Sequence, residues 1–152
     1  MRITKDGKLN VMCIDPGVSC GVAWFVDGVF QSAWSGSMLS ALECIIGRVD
    51  VVIFEDSQLI KAIYSLKGVN SAGAKTKVTR NVGEIDGYCK LIQAKCKSKG
   101  IPCFSISPKS KGKKVSSQEI QALINGFPKV SNQHERDAAM LWLARPMELR
   151  GA

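Results

Sequence analysis

Residues Val11 to Trp34 constrain the fold more tightly than any other stretch of the chain. Val11-Met12-Cys13-Ile14 is an apolar run that ends in Asp15 and is then broken by Pro16-Gly17. Such a run reads as a buried strand stopped by turn residues. An aspartate at that point must be solvated, paired or bound to a cation, because an unpaired buried charge is costly. A carboxylate that only caps the turn is the plainer alternative. Ser19 to Val26 resumes the extended pattern, Asp27-Gly28 is a hairpin signal, and Val29 to Trp34 opens a third strand. The stretch predicts a three-stranded antiparallel meander with an acidic side chain at its mouth.

The remaining elements follow in order. Ser37 to Gly47 carries apolar residues at helical spacing, with Gly47 suited to the C-terminal cap. Val49 to Phe54 is almost wholly apolar, as a parallel strand covered on both faces should be, and it runs into Glu55-Asp56. On a strand Asp56 points away from Glu55, and it replaces Glu55 only if the strand breaks at Phe54. The pattern then dissolves, which predicts a mobile basic loop over 57–80 containing Lys61, Tyr64, Lys67, Lys75, Lys77 and Arg80. Asn81-Val82-Gly83-Glu84 has the form of a capping box and predicts a helix from there to Lys99, stopped by Gly100 and Pro102. Gly83 and Gly87, one turn apart, permit close approach of either the sheet or a second subunit, with the subunit slightly favoured.

Cys103 to Ile106 is a short strand and Ser107 to Lys114 a basic loop. A second capping box, Ser116 to Glu119, starts a helix ending at Asn125-Gly126, and the last helix runs from Asn132 to Arg145-Pro146. The order predicts an α/β fold: a mixed five-stranded sheet, three strands antiparallel and then two parallel, with helices on both faces. One domain spans 1–152, with 1–10 a loose lead-in.

The chain has 152 residues, with 21 Lys and Arg against 13 Asp and Glu, a net charge of +8 and a pI near 9.3. That balance favours a polyanion as partner, nucleic acid before membrane, since no apolar run reaches spanning length. Lys109, Lys111, Lys113 and Lys114 are concentrated enough to read as phosphate contacts. Lys90, Lys95, Lys97 and Lys99 read more simply as the solvated face of a helix. The N-terminus lacks the form of a secretory signal, and the six cysteines have no paired metal-ligand spacing, so a reducing cytoplasm is expected. Trp24, Trp34 and Trp142 are expected in the core.

Two strands thus end in carboxylate, Asp15 and Glu55. The last helix adds Asp137, with the chain's one histidine, His134, three residues before it on the same face. Glu135 has a sufficient task as reciprocal cap of Asn132. His134 is balanced between a structural histidine and a ligand. Were the three carboxylates and the imidazole to converge at one edge of the sheet, the carboxylates would repel one another unless a divalent cation compensated them, and oxygen-rich donors with one imidazole suit Mg²⁺, with Mn²⁺ as substitute. Two such ions about 3.5–4 Å apart can activate a water and stabilise the leaving oxygen of a phosphodiester.

Ile14-Asp15-Pro16-Gly17, the strand ending in Glu55, Gly83-Glu84-Ile85-Asp86-Gly87, Ser107-Pro108-Lys109 and His134-Glu135-Arg136-Asp137-Ala138-Ala139 occur in one order. In that order they resemble the RuvC-type Holliday junction resolvases of the RNase H-like (retroviral integrase) superfamily, from Val11 to Ala144. The resemblance implies that Asp15, Glu55, His134 and Asp137 are the metal ligands and catalytic residues. It also implies a Mg²⁺-dependent homodimer with two ions per site, making paired nicks across four-way DNA that leave 5′-phosphate and 3′-hydroxyl ends. The loop after Glu55 would reach the junction centre through Tyr64, or through Leu59 and Ile60. Lys109 matches a family lysine near the site, Lys113 or Lys114 more loosely, and Ser117 stands where another lysine is expected. The short length and divergent loops suit a bacteriophage version working in the bacterial host cytoplasm, with broader branched-DNA substrates. The alternatives are a nuclease of this fold acting on flapped or nicked DNA or on RNA, and a catalytically inactive nucleic-acid-binding module.

Overall fold

The computed structural model describes residues 7–46, 48–56 and 72–150, with the side chains of the last segment described from Gly83 onward. Strand β1 spans Asn10–Asp15, β2 Cys20–Val26 and β3 Val29–Gly36, followed by helix α1 at Met38–Cys44 and strand β4 at Val51–Glu55. Helix α2 covers Ala72–Lys99 and strand β5 Cys103–Ile106. Three more helices complete the fold: α3 at Pro108–Lys111, α4 at Ser117–Leu123 and α5 at Gln133–Leu143, with a final 3₁₀ turn at Met147–Leu149. The sheet order is β3-β2-β1-β4-β5. The first three strands pair antiparallel, and β4 joins β1 and β5 in parallel, as the sequence predicts.

The hairpin between β2 and β3 takes its shape from Asp27 and Gly28, both with positive φ (49° and 79°), as a primed two-residue turn requires. Strand side chains alternate between two cores. Val11, Cys13, Ala23, Phe25, Val51 and Ile53 pack with Ile120, Ile124, Ala138, Ala139, Leu141 and Trp142 from α4 and α5. Met12, Ile14, Val22, Val52 and Phe54 pack with Met38 and Ala41 of α1 and with Cys89, Ile92 and Cys96 of α2. Helices therefore cover both faces. Trp142 stacks on Phe25 with ring centroids 5.1 Å apart, and Trp34 packs at the edge of the second core. Trp24, expected inside, is 40% exposed at the rim of an apolar groove shared with Trp34, Ile46 and Arg48.

Three boundaries differ from the sequence reading. Helix α2 begins at Ala72, so Asn81 is not its cap, and residues 72–80 of the predicted loop are helical. Ala72, Ala74, Lys75, Lys77 and Arg80 are good helix formers, and a capping-box pattern does not end a helix that already runs through it. Glu84 instead accepts a hydrogen bond from the Tyr88 hydroxyl at 2.7 Å. Within the basic stretch after β5, Ser107 caps α3 by accepting from the Ser110 amide at 3.1 Å, with Pro108 pre-set for the first turn. Helix α1 ends at Cys44, and Gly47 lies outside the described residues. The capping boxes of α4 and α5 form as read, Ser116 with Glu119 and Asn132 with Glu135. Among the described residues no helix is long and apolar enough to cross a membrane.

Candidate active site

Strand parity decides where the first two carboxylates go. In the parallel pair, Val11 lies opposite Val51 and Cys13 opposite Ile53, and all four face α5. The next step of that register sets Asp15 beside Glu55 on the same face, because side chains alternate with a period of two. Strand β4 stays regular through Glu55, so Asp56 cannot take its place; Asp56 is buried, gives its amide to the Ile106 carbonyl and does not line the cleft.

Helix α5 carries the other two groups across this corner. Its N-terminus is fixed by Asn132, which accepts from the Glu135 amide at 2.9 Å and gives its own side-chain N–H to Ser35 Oγ at 2.7 Å. Gly21, opposite Asp15 on β2, allows the close approach: a Cβ there would lie 1.9 Å from the His134 carbonyl oxygen. Asp15, Glu55, His134 and Asp137 consequently line one open cleft of about 420 Å³, together with Lys111, Lys114, Ile85 and the Pro16–Ser19 turn. His134 is exposed at its edge, and Asp137 is 5% exposed at its wall.

Lys111 is the cation inside this cluster. Its Nζ lies 2.5 Å from Glu55 Oε2, and its side chain is only 8% exposed. Burial disfavours its charge, but the bond to Glu55 and the fields of Asp15, Glu55 and Asp137 outweigh that and raise its proton affinity. Asp15 is pushed up to about 7, first by burial and then by Glu55, which it hydrogen-bonds, and by Asp137; Lys111 pulls in the other direction. Three carboxylates thus face the single ammonium of Lys111, so the cluster carries negative charge that Lys111 alone does not neutralise. Hard oxygen donors with a charge deficit fit a divalent cation such as Mg²⁺. Among the described residues, no three carboxylate, imidazole or thiol groups stand close enough to grip one ion together.

The lysines expected to touch DNA separate into different roles. Lys111 turns inward, because the Ser107-Pro108 cap starts a helix whose last residue faces back to the end of β4. Lys114 lines the cleft, exposed, with Nζ 4.0 Å from Asp137 Oδ2. Lys113 pairs at the surface with Glu119 at 3.7 Å, and Lys109 is exposed outside the cleft. Lys61, Tyr64 and Lys67, with Leu59 and Ile60, lie outside the described residues, as do the side chains of Lys75, Lys77 and Arg80 on α2. Among the described residues nothing lies within 4 Å of where a Cβ would stand on Gly83 or Gly87, so neither glycine packs closely on the sheet.

Neither a protein-family model nor a curated protein sequence matches the chain. Solved structures do. RuvC of Thermus thermophilus in complex with a Holliday junction substrate superposes with a TM-score of 0.56 at 13% identity, over 90% of this chain and 91% of that one. A second Thermus thermophilus RuvC structure gives the same TM-score and identity, over 90% and 92%. At that identity the likeness is one of fold: the chain has a RuvC-like fold along almost its whole length.

Proposed function

We propose that the chain is a divalent-metal-dependent endonuclease for branched DNA, with four-way junctions as its foremost substrate. The observation that carries this reading is the meeting of Asp15, Glu55, His134 and Asp137 in one cleft, walled by lysines, on a RuvC-like fold. The Thermus protein of that fold was solved on a Holliday junction, which supports the substrate class. A net charge of +8 supplies the attraction to phosphate.

In this reading Asp15, Glu55, Asp137 and His134 would hold Mg²⁺, or Mn²⁺ in its place, as two ions, which would supply an activated water and stabilise the departing 3′ oxygen of the scissile phosphodiester. Glu55 would then release Lys111, and Asp15 its proton. Lys111 then remains beside the carboxylates as a positive group available to the scissile phosphate. Lys114, exposed and across from Asp137, binds the same phosphate from the rim. Lys109 and Lys113 hold flanking phosphates, as do Lys61, Lys67, Lys75, Lys77 and Arg80, with Tyr64 against a base. Water adds to phosphorus and the P–O3′ bond breaks, leaving a 5′-phosphate and a 3′-hydroxyl. One cleft makes one nick, so paired nicks across a junction require a homodimer.

The test is cleavage of four-way, flapped, nicked, linear and RNA substrates with Mg²⁺, each repeated in EDTA. Four-way DNA is cut fastest and every activity stops with the chelator. Asp15→Asn and Asp137→Asn stop cutting and keep junction binding. Cutting that survives EDTA, or normal cutting by either variant, contradicts the reading. Junction binding by the unmodified chain with no cleavage of any substrate would leave a binding module.

A further inference from the structure

Asp137 is held by a neighbour that the catalytic set leaves out. Gln133, one turn earlier on α5, gives its side-chain Nε2–H to Asp137 Oδ1 at 2.8 Å. The Gln133 oxygen in turn accepts from Arg136 Nη2 at 3.1 Å. Arg136 is itself immobilised. Its Nε donates to the Val115 carbonyl at 2.9 Å, and its Nη1 to the Ser131 carbonyl at 2.6 Å and to the hydroxyls of Ser131 and Ser117, each at 3.1 Å.

The chain of contacts has one consistent orientation. A guanidinium can only donate, so the amide oxygen of Gln133 must face Arg136 and the amide N–H must face Asp137. A flipped amide would set oxygen against carboxylate at one end and N–H against N–H at the other. With Oδ1 occupied by that bond, Asp137 turns Oδ2 toward Lys114 and the cleft. We propose that Gln133, locked by Arg136, is a positioning residue that presents Asp137 to a divalent cation through one oxygen. This rests on the metal-nuclease reading above. A one-oxygen carboxylate suits the tight octahedral demands of Mg²⁺ and Mn²⁺, whereas a carboxylate free to turn offers both oxygens, as larger Ca²⁺ accepts.

The experiment is isothermal titration of Mn²⁺ and of Ca²⁺ into the unmodified protein and Gln133→Met, each first stripped with EDTA. The variant binds Mn²⁺ about 10–100-fold more weakly, the usual cost of losing a ligand's supporting hydrogen bond, and loses less affinity for Ca²⁺. A purely structural role would lower both affinities in the same proportion, or neither. In the unmodified protein, the side-chain amide resonance of Gln133 shifts along the Mg²⁺ titration curve, which keeps the proposal testable should the variant fail to fold. Equal Mn²⁺ affinity in the two proteins, a parallel loss for both ions, or an unmoved amide resonance overturns the positioning role alone. Failure of the unmodified protein to bind Mn²⁺ overturns the metal-nuclease reading, and the positioning role with it.

Discussion

Replacing Gly21 by alanine places a methyl group 1.9 Å from the His134 carbonyl oxygen and 2.4 Å from its carbonyl carbon. Both atoms are backbone, so no flexible side chain can swing aside. Real Cβ atoms do not come within 3.0 Å of a neighbour, so the N-terminus of α5 must withdraw from β2 by at least about 1.1 Å, the difference between 3.0 and 1.9. His134 and Asp137 ride on that turn, while Asp15, opposite Gly21, stays with the sheet. Overpacking of this kind costs about 1–3 kcal/mol. That lowers the melting temperature by roughly 3–10 °C in a chain of this size. Misplacing a catalytic group by about 1 Å can remove on the order of 100-fold in rate. The expected result is therefore a folded protein whose single-turnover junction cleavage at saturating Mg²⁺ is about 100-fold slower. Gly28→Ala is the control, because its left-handed φ of 79° makes it comparably destabilising while it sits in the hairpin at the far end of β2. Gly21→Ala cutting no more slowly than Gly28→Ala would refute the claim that the approach of α5 builds the site.

Lys111→Met in EDTA leaves the half-buried Glu55 carboxylate without its ammonium and lowers unfolding free energy by about 1.5–3 kcal/mol, measured in urea. Added Mg²⁺ restores most of that loss, and an unchanged midpoint would mean the pair contributes nothing. Asp15 holds its proton up to about pH 7 in the folded protein against 3.8 for the free group, so the folded state binds the proton more tightly. The Asp15 contribution to metal-free stability is thus fully present below the lower value, falls as pH rises through about 7 and then levels off. Thermal melts in EDTA from pH 4 to 8.5 should show this decline, saturating Mg²⁺ should flatten it, and a rise in stability over that range would contradict the assignment.

Much of the sheet was legible because its signals are local and physical. The Asp27-Gly28 turn, the β-branched run into Glu55 and the capping boxes at Ser116 and Asn132 each specify backbone conformation within a few residues. The parity of β1 and β4 even orders Asp15 and Glu55 onto one face. Helix α2 was misread because the local form of Asn81 to Glu84 carries no information about good helix formers upstream. The inner parts of the site were hidden for a different reason. Lys111 looks like its neighbours Lys109, Lys113 and Lys114, and only the short helix begun by Ser107-Pro108 turns it inward. A Ser-Pro pair ahead of three helix-compatible residues, Lys109 to Lys111, and a capping Gly112 was the available signal. Gly21 matters through a contact with His134, more than a hundred positions away, and nothing around it in sequence announces that. Arg136 lies within the His134–Ala139 motif and Gln133 directly before it, but their guanidinium and amide acquire meaning only from the carbonyls of Val115 and Ser131.

The most direct measurement is a crystal of the protein soaked in Mn²⁺, with anomalous scattering recorded at the manganese edge. The account predicts density in the cleft at about 2.0–2.4 Å from oxygens of Asp15, Glu55 and Asp137, with Lys111 drawn away from Glu55. A cleft without anomalous density at millimolar Mn²⁺, with Lys111 still bonded to Glu55, would contradict it.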